Sequence, residues 1–232
     1  MRNLALVLIL SGLCAQSNIA AATEPQAAFN PQCNIEDQDT VIWHYSGEAV
    51  TLTTQIFMTE RDYYPHGKLS LTLADGTVLD LGQGMKYVDD YADTPPTCRE
   101  IADIAKGVTL ASLTGQDFEA DPNSLYAGSI SKPESHLETL SSAWAYSVMG
   151  QDCMDAVNLA QDGPSLDCQR AADFREGFTA PDAGRTISYD RFEALTKVSA
   201  PLIHIRRSTY YDETFVFDPE TKSLEYVFAQ GC

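Results

Sequence analysis

The chain has 232 residues, 44% of them hydrophobic, and a formal net charge of −18 at pH 7. That length holds one domain or two, with enough apolar residues for a real core. The charge excludes the basic face that nucleic-acid binding needs and opposes adhesion to an anionic membrane; it suits a basic protein or other cationic ligand, or simple solubility.

Arg2 and the apolar run Leu4–Leu13, followed by Ala20-Ala21-Ala22, have the layout of an export signal. The run is too short to span a bilayer, and the alanines fit a small-x-small cleavage site. A signal peptide over 1–22 is therefore expected, leaving a periplasmic or secreted chain that starts at Thr23. Leu13 stands before Cys14 where a bacterial-type lipid-anchor motif requires a small residue, and no later apolar run is long enough for a membrane span. Cys33, Cys98, Cys153, Cys168 and Cys232 remain after cleavage, without a CxxC pair. Such cysteines pair in an oxidising compartment. Cys153 with Cys168, flanking a short loop between helical segments, is the first expected bond, and Cys33 with Cys98 the second. Cys232 is then the odd one; in the alternative it pairs with Cys98 and leaves Cys33 over.

Thr23–Pro31 is an Ala- and Pro-rich leader, and Glu36, Asp37 and Asp39 form an acidic approach to the first strand. Thr40–Tyr45 and Ala49–Met58 are β-branched and aromatic, so they are expected to be strands joined by a tight turn at Ser46-Gly47-Glu48. Arg61–Gly67 is a loop. Lys68–Tyr87 then carries the cleanest signal in the chain, two alternating strands about Asp75-Gly76. A two-residue turn would place Asp80 opposite Leu71 on the leucine face. An odd loop pairs Leu73 with Leu79 and Leu71 with Leu81, which keeps that face apolar. The expectation is a three- or five-residue loop with Gly76 at positive φ.

Pro95-Pro96 breaks the chain, and Thr97 with Glu100 forms a capping box at the start of a helix. Ile101, Ile104 and Ala105 share a face, and Gly107 is placed to stop the helix. Ser131, Pro133 and Glu134 repeat the start signal for a helix marked by Leu137, Leu140, Trp144 and Val148, which Gly150 ends. Asp152–Gln161 and Asp167–Glu176 are shorter helical segments. From Thr186 the pattern returns to β, with strands at Pro201–Ile205 and Thr209–Phe217. Asp218-Pro219 opens a type I turn, and a loop over Pro219–Lys222 pairs Phe217 with Leu224 and Phe215 with Tyr226.

The order strands, helices, strands leads to an α+β fold. Neither β portion closes a sheet comfortably by itself. The expectation is a single antiparallel sheet built from N- and C-terminal strands, with the helical middle segment packed on it, in one domain over 23–232; the alternative boundary lies near 114–123.

Catalytic signatures are missing from the chain: it has no GxSxG, no HExxH and no glycine-rich phosphate loop. His44, His66, His136 and His204 lack metal-ligand spacing. His44 and His204 fall within strand patterns, as packed or surface histidines do. Asp117, Glu119, Asp121 and Asn123 begin like a calcium loop, but Pro122 and Gly128 occupy the positions that need Gly and a carboxylate. No metal and no cofactor are therefore assigned. Charge is unevenly spread: from Leu69 to Gln169 there are 16 acidic residues against 4 basic ones. A negative helical layer with Tyr87, Tyr91, Tyr126 and Tyr146 nearby would steer and hold a cationic protein.

Gly84-Met85-Lys86-Tyr87, after its Asp-Gly hairpin, resembles a loop of the periplasmic inhibitors of c-type lysozyme, which carry Ser-Gly-x-x-Tyr after a similar hairpin. Gln83 stands where that family has Ser, Ser46 where it has an early Cys, and this chain is far longer. The resemblance implies Gly84 and Tyr87 as contact residues and a basic enzyme as partner. The sequence thus leads to a non-catalytic exported binding module for a cationic partner, with Tyr87, Gly84, Tyr91, Asp89, Asp90 and His66 as candidate binding residues. The alternative is a small exported hydrolase whose carboxylate and histidine site is assembled in space around His66 and Asp89–Asp93.

Overall fold

The computed structural model describes residues 33–58, 65–86, 97–120, 129–157, 165–179, 189–208 and 211–231. Strands β1 (Asn34–Ile42), β2 (Ala49–Phe57), β3 (His66–Thr72) and β4 (Val78–Lys86) form an antiparallel meander in chain order. Val50, Leu52, Leu69, Leu71, Leu79 and Leu81 are all buried on its inner face. Each such leucine contributes about 1.5–3 kcal/mol by leaving water. In the central hairpin the ladder pairs Leu71 with Leu79 and Thr72 with Val78. The expected partner of Leu79 was Leu73, two residues further on. The parity is the expected one, so every leucine keeps its face, while Val78 turns outward and is 63% exposed. The turn is tighter because Gly76, at φ +85°, gives its amide to Leu73 O at 2.9 Å, and Leu73 N reaches Thr77 O at 2.8 Å. Three residues close the loop.

The acidic approach is itself strand. Ile35, Asp37, Asp39 and Val41 are the half-buried positions of β1, alternating with exposed ones. Two of these positions hold carboxylates, which hid the strand pattern. Their partners come from helix α1 (Cys98–Thr114): Lys106 Nζ lies 3.1 Å from Asp37 and 3.2 Å from Asp39, and Arg99 also bonds Asp37. Burial alone would raise the Asp37 carboxyl, but the hydrogen bonds from Arg99 and Lys106 outweigh it and hold the group below its ordinary range.

The capping box of α1 is present: Thr97 N donates to Glu100 Oε2 at 2.6 Å, and Glu100 N to Thr97 Oγ1 at 3.3 Å. Gly107 does not stop the helix, which runs on to Gly115, a left-handed cap whose amide bonds Ala111 O. Gly107 is instead a point of close approach. A Cβ there would come within 2.4 Å of Ile130 Cδ1 and 2.7 Å of Phe118 Cδ1, from a small ribbon formed by β5 (Phe118–Glu119) and β6 (Ser129–Ile130).

Gly150 repeats the lesson. Helix α2 (Leu140–Val157) follows a 3₁₀ turn at Ser135–Leu137 and passes straight through Gly150. There it touches α3 (Leu166–Thr179), with Ala171 O only 2.1 Å from where a Cβ would sit. Both expected disulfides form, Cys153–Cys168 across α2 and α3, and Cys33–Cys98 between β1 and α1. The region read as β from Thr186 contains a helix, α4 (Tyr189–Lys197). Phe192 and Leu195, one helical turn apart, are buried.

Strands β7 (Leu202–Ser208), β8 (Tyr211–Asp218) and β9 (Ser223–Gly231) form a second antiparallel sheet. The β8–β9 hairpin has the expected register, Phe217 opposite Leu224 and Phe215 opposite Tyr226. The class is α+β, but among the described residues the expected single sheet is instead three: four, two and three strands. The reason lies at the facing edges. Along β7, Thr109 Oγ1 of α1 donates to His204 O at 3.0 Å, and Ser112 Oγ donates to Leu202 O and accepts from His204 N, both at 3.3 Å. Helix hydroxyls thus occupy backbone groups that another strand would have used. On β4 the chain bulges at Leu81-Gly82, and Gly82 N bonds Asp80 Oδ1 at 2.9 Å. The guanidinium of Arg207 lies against Gly82.

The sheets still share one core. Ile203, Ile205 and Phe217 join the meander leucines and Leu110 and Leu113 of α1. The other face of the C-terminal sheet, with Leu202, Val216, Val227 and Phe228, packs on α2, α3 and α4. Burial on both faces explains the unbroken apolar run from Ala200 to Ile203.

Candidate functional site

Three hairpin turns converge at one end of the molecule: 43–48 between β1 and β2, 73–77 between β3 and β4, and 219–222 between β8 and β9. Each is locked from below. His44 places both its amide and its Nδ1 on Leu113 O, at 2.9 and 3.0 Å. It thereby satisfies a carbonyl at the C-terminus of α1, where the helix leaves such acceptors unpaired. Asp75 Oδ1 accepts from Thr77 N at 3.0 Å. Asp218, buried, bonds Glu220 N at 2.9 Å as well as Arg191 and Thr221, and Arg191 also reaches Glu225 at 3.0 Å.

Between these turns lies a cleft of about 400 Å³, with Trp43, Tyr45, Glu48, Asp75, Phe217 and Lys222 among its walls. Trp43 is 2% exposed and packs its ring 5.1 Å from Phe217 and 5.7 Å from Tyr45. Its Nε1–H is buried without a hydrogen-bond partner. An unmet buried donor costs about 1–3 kcal/mol. Asp75 holds Lys222, an ion pair from one sheet to the other in which both side chains are nearly half exposed. Such a pair contributes about 0–1 kcal/mol and is easily exchanged. Tyr45, which is exposed, and the carboxylates beside it form a surface that attracts cations, by ring quadrupole and by charge.

A second cleft, of about 410 Å³, is lined by Ser129, Ser131, Leu137, His204, Arg206 and Asp212, with others. It holds the residue types of a hydrolase but not the pairing. His204 is buried, with Nδ1 2.8 Å from Thr214 Oγ1 and Nε2 2.9 Å from Leu137 O. A carbonyl only accepts, so Nε2 carries the proton and Nδ1 accepts from the hydroxyl. Burial pushes the imidazole below its ordinary range, although the Leu137 carbonyl and Asp212 pull the other way. Asp212 is held by the Arg206 fork at 2.5 and 2.9 Å. With both ring nitrogens engaged, His204 is not hydrogen-bonded to either serine as a base must be.

Of the residues singled out from sequence, His66 and Gly84 come together at the far end of the meander. His66 pairs with Lys86, Gly67 with Gly84, and the His66 ring lies 5.9 Å from Phe57. Tyr87, Asp89, Asp90, Tyr91 and Tyr126 lie outside the described residues. Tyr146 stacks on His136 at 3.7 Å. Its hydroxyl is pushed up by burial and then by Glu134 and Asp167, a sign of the negative field around the helical layer. In the calcium-like stretch, Asp117 bonds Lys132 N at 2.8 Å and Glu119 sits in β5. Among the described residues no three His, Cys, Asp or Glu side chains gather as a metal site. The turn-end cleft was missed because its walls come from three hairpins far apart in sequence. The one usable signal was that each turn carries a charged residue, and that two of the three, 43–48 and 219–222, adjoin aromatic residues. No family model, curated protein or solved structure matches the chain.

Proposed function

We propose that this protein is a non-catalytic binding module, working outside the cytoplasm, that engages a cationic protein through its turn-end cleft. The observation that carries the reading is the wall of Trp43, Tyr45 and Phe217 beside the carboxylates of Glu48 and Asp75. Charge supports it: the chain carries −18, and Arg99, Lys106, Arg191, Arg206 and Arg207 are all engaged in ion pairs. The acidic surplus is therefore what a partner meets, and it steers a basic protein over long range. Two disulfides support an oxidising compartment, and among the described residues no helix is long and apolar enough to cross a membrane.

The test is retention on an immobilised basic protein such as lysozyme. Mature protein is retained at low ionic strength and released as salt rises, because the attraction is screened over about 10 Å at 0.1 M. Glu48→Gln and Asp75→Asn release earlier than the parent. Passage of the parent through every basic column at low salt ends the reading.

A further inference from the structure

The ion pair across the cleft mouth suggests what the site takes. Lys222 and Asp75 are 147 positions apart in sequence, on turns of different sheets, and Lys222 is held at φ +51°, a conformation that non-glycine residues rarely adopt. Its side chain places a primary alkylammonium on Asp75, at a cleft walled by Trp43, Tyr45 and Phe217. Resting on the cationic-partner reading above, we infer that Lys222 is an internal stand-in for the ligand, and that the site takes a lysine side chain of the partner in exchange for it.

The chemistry is specific. An ammonium is a compact point charge that a single carboxylate holds, whereas a guanidinium prefers two oxygens in a fork. Asp75 has one oxygen open to exchange, because Oδ1 accepts from Thr77 N and Oδ2 holds Lys222. The alkyl stem would lie along the aromatic wall, as long cationic side chains do. Because Lys222 and the ligand compete for one carboxylate oxygen, removing Lys222 strengthens binding. A general gain of negative charge would strengthen an arginine peptide equally, whereas exchange at a single oxygen favours the lysine peptide.

The experiment compares a short blocked peptide bearing one lysine with the same peptide bearing norleucine or arginine, by calorimetry at low salt. Lys222→Met is expected to bind the lysine peptide about two- to five-fold more tightly than the parent, the worth of an exposed ion pair. Asp75→Asn, which keeps an oxygen for Thr77 N, is expected to lose the preference for lysine over norleucine. Lys197→Met removes the same charge from α4, where Lys197 pairs with Glu193 at 3.0 Å, and is expected to leave the affinity unchanged. Equal effects of Lys222→Met and Lys197→Met, or weaker binding by Lys222→Met, overturn the inference while leaving retention on basic columns intact. Absence of that retention in the parent removes the broader reading as well. Thermal melts of all three variants establish that each is folded.

Discussion

Replacing Gly150 by alanine sets two effects of opposite sign against each other. In an exposed helix the change stabilises by about 1 kcal/mol, because alanine loses less backbone entropy than glycine. Here the new Cβ would stand 2.1 Å from Ala171 O, 2.6 Å from Ala171 C and 3.0 Å from Ala172 N. These are backbone atoms of α3, so no side-chain rotation relieves the overlap; the helices must separate by roughly an ångström. Overpacking costs about 1–3 kcal/mol, and an overlap this deep with backbone falls at about 2–3; Cys153–Cys168 ties the same two helices, with 5.5 Å between Cα atoms. The net expectation for Gly150→Ala is a loss of about 1–2 kcal/mol, read as a lower urea midpoint at unchanged slope. Gly107→Ala is the control. The nearest atoms to its Cβ belong to the side chains of Ile130 and Phe118, which can shift more readily than backbone, so its cost is smaller. The Gly150→Ala penalty also shrinks when both Cys153 and Cys168 are alanine, because the helices are then freer to part. A Gly150→Ala protein as stable as the parent would refute the close-contact argument.

Other expectations follow from buried polar groups. Thr54 Oγ1 is buried with no hydrogen-bond partner, so Thr54→Val is neutral or stabilising, whereas Thr214→Val strands the Nδ1 of His204 and costs about 1–3 kcal/mol; equal urea midpoints for the two variants would contradict this. The folded state holds the His204 pKa below its unfolded value near 6.5. Its contribution is therefore complete above that pH and lost on acidification, by up to about 1.4 kcal/mol per pH unit, until the folded pKa is reached. Urea midpoints at pH 7.5 and 5.5 show the drop, and a His204→Gln protein with the same drop would assign it elsewhere. Removing Cys153–Cys168, which spans 15 residues, costs about 3 kcal/mol on the chain-entropy account, and removing Cys33–Cys98, which spans 65, about 4. The reverse order in denaturant melts would show that native-state effects dominate.

Much of the local structure could be read from the sequence where one rule acted alone. The β8–β9 register followed from alternation plus an Asp-Pro turn, and the α1 cap from Thr97 and Glu100. Reading failed where a residue type has two uses. Glycine both ends helices and lets them touch, and Gly107 and Gly150 do the second. Carboxylates suggested an approach loop before the first strand, but Asp37 and Asp39 point inward to Lys106. The division into separate sheets could not be read, because it depends on Thr109 and Ser112 bonding the edge of β7. Those hydroxyls lie beyond the glycine taken as the end of α1. The turn-end cleft was hidden for a similar reason: its charged residues, Glu48, Asp75 and Lys222, are joined only by the packing of two sheets on one core.

Trp43 offers the most direct test of that cleft, since the chain has only two tryptophans. In a Trp144→Phe protein the emission reports on Trp43 alone. Titration with poly-L-lysine, which has no aromatic groups, should shift that emission saturably at low salt. Added salt should reverse the shift, and Asp75→Asn should weaken it. Formation of a complex with Trp43 emission unmoved would place the cationic partner elsewhere on the surface and contradict the account.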